Sequence, residues 1–542
     1  MIRQKVNAVF FKWNGIISIL LLFFVLSAVF RHAFYFGFIG DFLKINSIVF
    51  GNTVPSFLEF VPFHSFSILL SSLVHPYFLL GLFIVYLPLV FKRKAFRQGT
   101  IDYSLTDKIL LFTPAFLLTW EVVTFDYNFF LGSAFYLDRI ILIALTFLLL
   151  RFPLLTPLFI AFSLVYRSQY NYPIGGFELF EKNMLYDMLI IFTVCHYLKI
   201  LLKIPLVPYA WLVMCIISAN YFYCGMAKIM ISPHGYEWIL ENNTADLFIN
   251  CHLRGWMANV NAETIHKIWK FFDSYHVVFQ VITVIVELSA IFMLKNKRTA
   301  GVILLFSFTL HIAIFVCSGA LFWKWMVMDL LLFWLVYKEK MADLFSAKKY
   351  FFASVIVILT SVVWLKPLKI GWYDTKISHF FTYEVEDDKG KTYQLEKNEM
   401  NPYHQWLQYD RFYWMVDKEC LPLTGFGTTG KYNVFSAIKN SSSSDLQDLL
   451  MDFGVDRYNI ERVYKYTDFI KNYFHTRNVV HGGKIVLTCL SPPEHLHTSG
   501  TGYLYKDQAP VKKFRVFYNL TFSSEGKSTY VEKSLMNEIV VD

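Results

Sequence analysis

Up to Lys366, apolar runs of roughly helical-span length alternate with short polar turns; beyond it the pattern shifts toward apolar–polar alternation. Crossing the hydrocarbon core takes a helix of about 20 mostly apolar residues. The first such run covers residues 14–37 and follows Arg3, Lys5 and Lys12. No small-residue cleavage site follows it, so it reads as an uncleaved span rather than a signal peptide. The next covers residues 66–91 and ends in Lys92-Arg93-Lys94, and a third begins near Lys108. Residues 138–166 are long for one helix and contain Arg151-Phe152-Pro153. Proline breaks the helical hydrogen-bond ladder, so two short spans with Arg151 at the turn are expected. Further runs cover 184–202, 206–229, 277–294, 299–318, 321–337 and 351–365. Hydropathy therefore predicts an all-α polytopic membrane helix bundle of about eleven spans over residues 1–366.

Residues 367–542 have a different character. Thr382-Tyr383-Glu384-Val385 and Lys391-Thr392-Tyr393-Gln394-Leu395 flank Asp387-Asp388-Lys389-Gly390 and read as a hairpin. A second alternating pair, 514–522 and 528–531, is joined through Ser523-Ser524-Glu525-Gly526. Residues 444–474 have helical spacing after a run of serines. The expectation is a small α+β extramembrane C-terminal domain, with Cys420 and Cys489 open either to pairing or to remaining free thiols.

Composition supports the membrane reading. Of 542 residues, 56% are hydrophobic and only 17% charged, against about 45–50% and 25% in soluble domains. The lipid bilayer is thus the first expected partner. The net charge of +9 makes no case for nucleic acid, because its positive clusters lie between apolar runs. Lys92 to Arg97, Arg151, Lys199 with Lys203, Lys295 to Arg298, and Lys338 to Lys349 would all be cytoplasmic under the positive-inside rule. With eleven spans and a cytoplasmic N-terminus, residues 367–542 fall on the non-cytoplasmic side. No Cys-x-x-Cys, His-Glu-x-x-His, Walker-type Gly-Lys-Ser or Gly-x-Ser-x-Gly motif occurs, and no metal is expected.

Ionisable groups inside apolar runs are costly and are functional hypotheses by default. Here they are Lys228, Glu287, His311, Lys324 with Asp329, and His196. Each has a bland counterpart. Lys228 could snorkel from its helix end, and Glu287 and His311 could be glue between helices. Lys324 and Asp329 could pair with each other, and His196 could sit at the interface beside Lys199. The stretch 232–275 carries Trp238, Trp256 and Trp269, with Ile265, Ile268, Trp269 and Phe272 at helical spacing. It reads as amphipathic helices covering Lys228.

Tyr221-Phe222-Tyr223-Cys224-Gly225-Met226-Ala227-Lys228-Ile229 resembles the Tyr-Phe-x-x-Gly-x-x-Lys-Leu segment of the vitamin K-dependent γ-carboxylases. Those enzymes share their membrane core with the HTTM (horizontally transferred transmembrane) group. Gly235-Tyr236-Glu237-Trp238, Val286-Glu287-Leu288-Ser289-Ala290, and Phe308-Thr309-Leu310-His311 with Gly319-Ala320-Leu321-Phe322 resemble the segments that follow. The likeness covers residues 180–340. The tail does not resemble the carboxylases' lumenal domain. Met184 stands where the family has a histidine, and His196 is the remaining upstream candidate.

The resemblance implies that Lys228 takes a proton from a reduced vitamin K-type quinone, whose oxygenated form then deprotonates glutamate for carboxylation in a secreted peptide or protein. His311, Glu287 and His196 would assist, while Tyr221, Tyr223, Gly225 and Trp238 would hold the lipid-soluble quinol. A lysine serves as a base only when its ammonium gives up a proton, and an apolar bundle disfavours the charged form. Gly225, on the face of Lys228, would let a flat ring approach. The alternative is a non-enzymatic membrane factor for maturation or export of a secreted peptide, keeping the scaffold only.

Overall fold

A computed structural model describes residues 103–123, 137–168, 181–202, 209–338, 348–365, 367–396, 412–480, 492–498, 503–506 and 509–541, with Tyr86, Met341, Phe345, Met400 and Leu407. The helical part runs α1 (Leu105–Val123), α2 (Leu137–Leu148), α3 (Thr156–Ser168), α4 (Glu181–Leu202) and α5 (Tyr209–Met230). Three shorter helices follow: α6 (Glu237–Glu241), α7 (Thr244–Leu253) and α8 (Ala262–Ser274). Then come α9 (His276–Ser289), α10 (Lys297–Ser318), α11 (Trp323–Tyr337) and α12 (Lys348–Trp364).

Local chemistry sets the helix ends. A turn of 3-10 helix at Pro153–Leu155 follows the break at Arg151-Phe152. Asn296 caps α10, its side chain accepting from Thr299 N at 2.8 Å. Gly319 closes the same helix at φ 71°, a left-handed position that glycine takes without strain.

α5 is the central helix and packs on α4, α9 and α12. In its most apolar stretch 78% is buried inside protein, against 39% for α10. A helix apolar all round belongs in the middle. α10 turns Val302, Leu305, Phe306, Ile312 and Val316 outward, and α12 does the same with Phe352, Ile356, Leu359 and Val363.

The expected eleven spans do not stand. Among the described residues only α5 and α10 are long and apolar enough to cross a membrane, or three spans if α8 and α9, bent by 62° at their junction, form one. The other apolar stretches, Arg139–Leu148, Pro153–Ser163, Met184–His196 and Tyr350–Trp364, are shorter. At 1.5 Å per residue, a ten-residue helix covers about 15 Å of a core about 30 Å thick. Hydropathy registers how apolar a stretch is but not where its helix ends, so short apolar helices read as spans. Two β-sheets also accompany the helices. The expected spans at 14–37 and 66–91 lie outside the described residues, Tyr86 excepted, and the parity argument for the C-terminal side falls with the count.

Beyond Pro367 the chain first runs extended along the helices. It then forms β1 (Tyr373–Asp374), β2 (Ile377–Asp387), β3 (Thr392–Leu395) and β4 (Thr428–Thr429). Three helices follow, α13 (Tyr432–Asn440), α14 (Leu446–Phe453) and α15 (Ile460–Val480), before β5 (Val511–Ser524) and β6 (Lys527–Val540). β1 pairs with β4, and the larger antiparallel sheet has the order β3-β2-β5-β6. Both hairpins fall where the alternation places them. The helical stretch after the serines is broken at Gly454, where α14 ends and a separate α15 takes over. Tyr383, Phe514 and Tyr518 meet Phe412, Trp414 and Tyr466 in the core behind the sheet. Cys420 is a buried free thiol beside Tyr518, and Cys489 lies outside the described residues.

Candidate functional site

Lys228 lies in the last turn of α5 and is only 7% exposed. Its Nζ donates to both carboxylate oxygens of Glu287 on α9, each at 2.8 Å, and to the Ile370 carbonyl at 3.1 Å. The indole of Trp238 lies 5.4 Å from Nζ, close enough for a cation–π attraction. The three ammonium hydrogens thus have three acceptors. Lysine is embedded here, and the snorkelling alternative does not describe it.

The extended segment 367–374 forms the site's outer wall. Leu368 N donates to Asn220 Oδ1 at 2.8 Å, and the Cys224 thiol points to Leu368 O at 3.4 Å. Cys224 and Lys228 are four helical residues apart, about 6 Å along the axis. Their carbonyl partners, Leu368 and Ile370, are two extended residues apart, about 6.6 Å. Helix and strap therefore keep step over this stretch. Gly371 permits the approach, since a Cβ there would meet the Ala227 backbone at 2.8 Å. Further along, Trp238 Nε1 donates to Trp372 O at 2.6 Å, and Ser232 Oγ is 2.8 Å from the Tyr373 hydroxyl.

The strap ends in a carboxylate pair. Asp374 accepts from Asn242 Nδ2 at 2.9 Å, and its backbone N–H donates to Asn242 Oδ1 at 2.6 Å. Burial pushes the Asp374 carboxyl up to about 7. Asp246 on α7 is also pushed up to about 7, by burial first and then by the charge of Asp374.

A second polar cluster lies two turns back along α5. The Tyr221 hydroxyl donates to Asp329 Oδ2 on α11 at 2.6 Å and lies 3.4 Å from His311 Nδ1 on α10. His311 Nδ1 is itself 3.5 Å from Asp329 Oδ2. Asp329 is fully buried, and Trp325 packs edge-on against Tyr221 at 5.3 Å. Asp329 Oδ1 and Trp325 Nε1 are buried here without a hydrogen-bond partner among the described residues.

The residues singled out from sequence thus fall into several places. Lys228, Glu287 and Trp238 come together. Tyr221 and His311 form the second cluster with Asp329. Lys324 does not pair with Asp329 but lies 3.1 Å from Glu121 on α1. Tyr223 turns to the opposite side and donates to Leu359 O on α12 at 2.6 Å. His196 on α4 bonds the Tyr103 hydroxyl and stacks on Phe192, which meets Tyr209 at the far end of α5. That end lies 19 residues from Lys228, about 28 Å along the axis, so His196 takes no part in the site. The stretch 232–275 does fold as helices, and its Trp238 lies against Lys228.

Gly225 answers the question of a bound ring. A Cβ there would meet Leu288 Cδ2 at 3.0 Å and Glu287 Cβ at 3.1 Å. The glycine lets α9 close onto α5, and that space is filled by protein, so a flat quinol ring does not fit on it. Sequence reasoning missed Asn220, Glu121 and the strap carbonyls. The first two were visible as polar residues within apolar runs, but backbone carbonyls have no signature in a sequence. Among the described residues no group of His, Cys, Asp and Glu gathers as a metal site. Compared with family models, curated proteins and solved structures, the chain matches none.

Proposed function

We propose that the chain is an integral membrane enzyme in which the Lys228–Glu287 pair removes a proton from a lipid-soluble substrate. The observation that carries this reading is the pair itself, an amine and a carboxylate 2.8 Å apart and almost wholly buried between two apolar helices. A proton passed from Nζ to Glu287 leaves a neutral amine beside a carboxylic acid, and low-polarity surroundings tolerate that state better than they tolerate isolated ions. The amine then accepts the substrate's proton, and the Trp238 face steadies the ammonium that results. Tyr221 on the same helix, with His311 on α10 and Asp329 on α11, supplies a second set of proton-bearing groups.

The γ-carboxylase resemblance would make the substrate a reduced quinone, with epoxidation and glutamate carboxylation downstream. The ring does not fit on Gly225, where Leu288 and Glu287 fill the space. A second reading is a membrane factor for maturation or export of a secreted peptide that keeps the scaffold alone. It is favoured by the three acceptors around Lys228, which make the ammonium a fastening between helix and strap.

The basic turn Lys295-Asn296-Lys297-Arg298 begins α10, whereas Gly319 and Leu321 beyond its other end bond to His497 and His495. With the basic turn cytoplasmic, His495 and His497 and the described residues packed with them fall on the non-cytoplasmic side. This orientation rests on α10 alone.

The test uses the full chain in lipid bilayers with reduced naphthoquinones, following epoxide. Wild-type turnover abolished in both Lys228→Ala and Lys228→Arg supports the enzyme, because a guanidinium stays protonated. Normal peptide export by the Arg variant, with no quinol turnover in the wild type, selects the maturation factor.

A further inference from the structure

A cavity of about 1320 Å³ lies between the helices and the C-terminal sheet region, and it shares the strap residues Ile370 and Trp372 with the Lys228 site. It exceeds the roughly 300–1,000 Å³ of an ordinary small-molecule cleft. Its helical wall is apolar, with Ile314, Phe322 and Val362 beside Leu368 of the strap. Arg457 and Arg462 also line it, and Lys369 joins them from the strap. No aspartate or glutamate lines it. The nearest acids in sequence are engaged elsewhere, Asp456 with Tyr458 N at 2.8 Å and Glu461 with Lys465 at 2.7 Å. Among the described residues neither arginine has a carboxylate partner, and Arg457 lies 5.2 Å from the Tyr413 ring.

From this division we infer that the cavity binds one phosphate-headed amphiphile, its chain against Ile314, Phe322 and Val362 and its phosphate between Arg457, Arg462 and Lys369. Charge decides the head: three cations without a carboxylate select an anion, and arginine forks suit phosphate oxygens. Shape decides the tail. The apolar wall is continuous with α10 and α12, whose outward faces are apolar, so a chain can pass from bilayer to cavity without crossing water. A free phosphate would use the cations and leave the apolar wall unfilled.

Native mass spectrometry of the purified full chain in detergent, with phosphatidylglycerol, phosphatidylcholine or glycerol phosphate added, tests the site. One saturable phosphatidylglycerol per chain is expected, with phosphatidylcholine and glycerol phosphate binding at least about tenfold more weakly. Arg457→Gln with Arg462→Gln should weaken phosphatidylglycerol about tenfold or more, through loss of charge-assisted bonds. Val362→Trp, which fills the apolar end from an exposed position, should weaken the lipid and leave glycerol phosphate unchanged. Equal binding of phosphatidylcholine, binding indifferent to the arginines, or glycerol phosphate binding as tightly as the lipid would each overturn the assignment. Circular dichroism on each variant separates lost binding from lost folding.

Discussion

Two polar clusters sit seven residues apart on α5, and they are finished to different degrees. Around Lys228 every ammonium hydrogen has an acceptor, and the strap closes the outside. Around Asp329 the same helix supplies Tyr221, yet two buried polar atoms have no hydrogen-bond partner among the described residues. Buried polar atoms are seldom left this way, and those that are call for a reason. The contrast separates a cluster that fastens two parts of the chain from one with capacity for a further donor or acceptor.

The largest expected effect tests the fastening. Glu287→Leu leaves the Lys228 ammonium buried with a single carbonyl, and breaking a buried pair from one side costs about 3–5 kcal/mol. Lys228→Met with Glu287→Leu should recover most of that loss, because paired charges can be replaced by apolar side chains nearly neutrally. Thermal unfolding of the detergent-solubilised chain reads both. If the single variant were as stable as wild type, the pair would hold nothing together.

Tyr221→Phe should cost less, about 1–3 kcal/mol for a buried carboxylate deprived of its donor. It should also leave protease protection of the strap unchanged, since no strap bond passes through Tyr221. Strap cleavage in this variant would merge the two clusters into one network.

The third expectation concerns pH at the strap's end. Asp374 titrates near 7 when folded, against an ordinary 3.8, with burial the leading cause. A carboxyl whose folded value is raised holds its proton in the folded state after the unfolded chain has lost it. Stability from this group is full below about pH 4, is lost as pH rises through about 7, and is level beyond. Asp374→Asn keeps an acceptor for Asn242 and should flatten this part of the pH–stability curve. An unchanged curve would remove Asp374 as its source, leaving Asp246 as the next group to test.

The hairpins were legible because period-two alternation and a Gly-containing turn are local signals. Gly390 and Gly526 both adopt the positive φ their turns require. The span count was not legible, because hydropathy marks the short apolar stretches at Arg139–Leu148, Pro153–Ser163 and Tyr350–Trp364 as it marks the full-length α5 and α10. Lys228, Glu287 and His311 were found by their cost in an apolar setting and expected to act together; Lys228 and Glu287 do pair, while His311 joins Asp329 instead. The pairing of Lys228 with Glu287 depends on the approach of α5 and α9, and that of His311 with Asp329 on the hairpin of α10 and α11. Tyr223 was misplaced because nearness in sequence does not give the direction around a helix, and His196 because the resemblance that nominated it does not fix which end of α5 its own helix meets.

Gly225→Ala gives the smallest expected effect and the finest test of the fastening. Alanine gains up to about 1 kcal/mol of helix propensity over glycine. Its Cβ, though, would press Leu288 Cδ2 at 3.0 Å and the Glu287 Cβ at 3.1 Å, and overpacking costs about 1–3 kcal/mol. The Leu288 methyl is the end of a flexible side chain and can turn aside, whereas the Glu287 Cβ moves only with the α9 backbone. The net change should therefore be small and destabilising, about 1 kcal/mol, and it should appear at the pair. In a double-mutant cycle, Gly225→Ala should cost less in the Lys228→Met Glu287→Leu background, where no ion-pair geometry remains to be disturbed. An equal cost in both backgrounds would make Gly225 a packing contact alone, with no hold on the distance between Lys228 and Glu287.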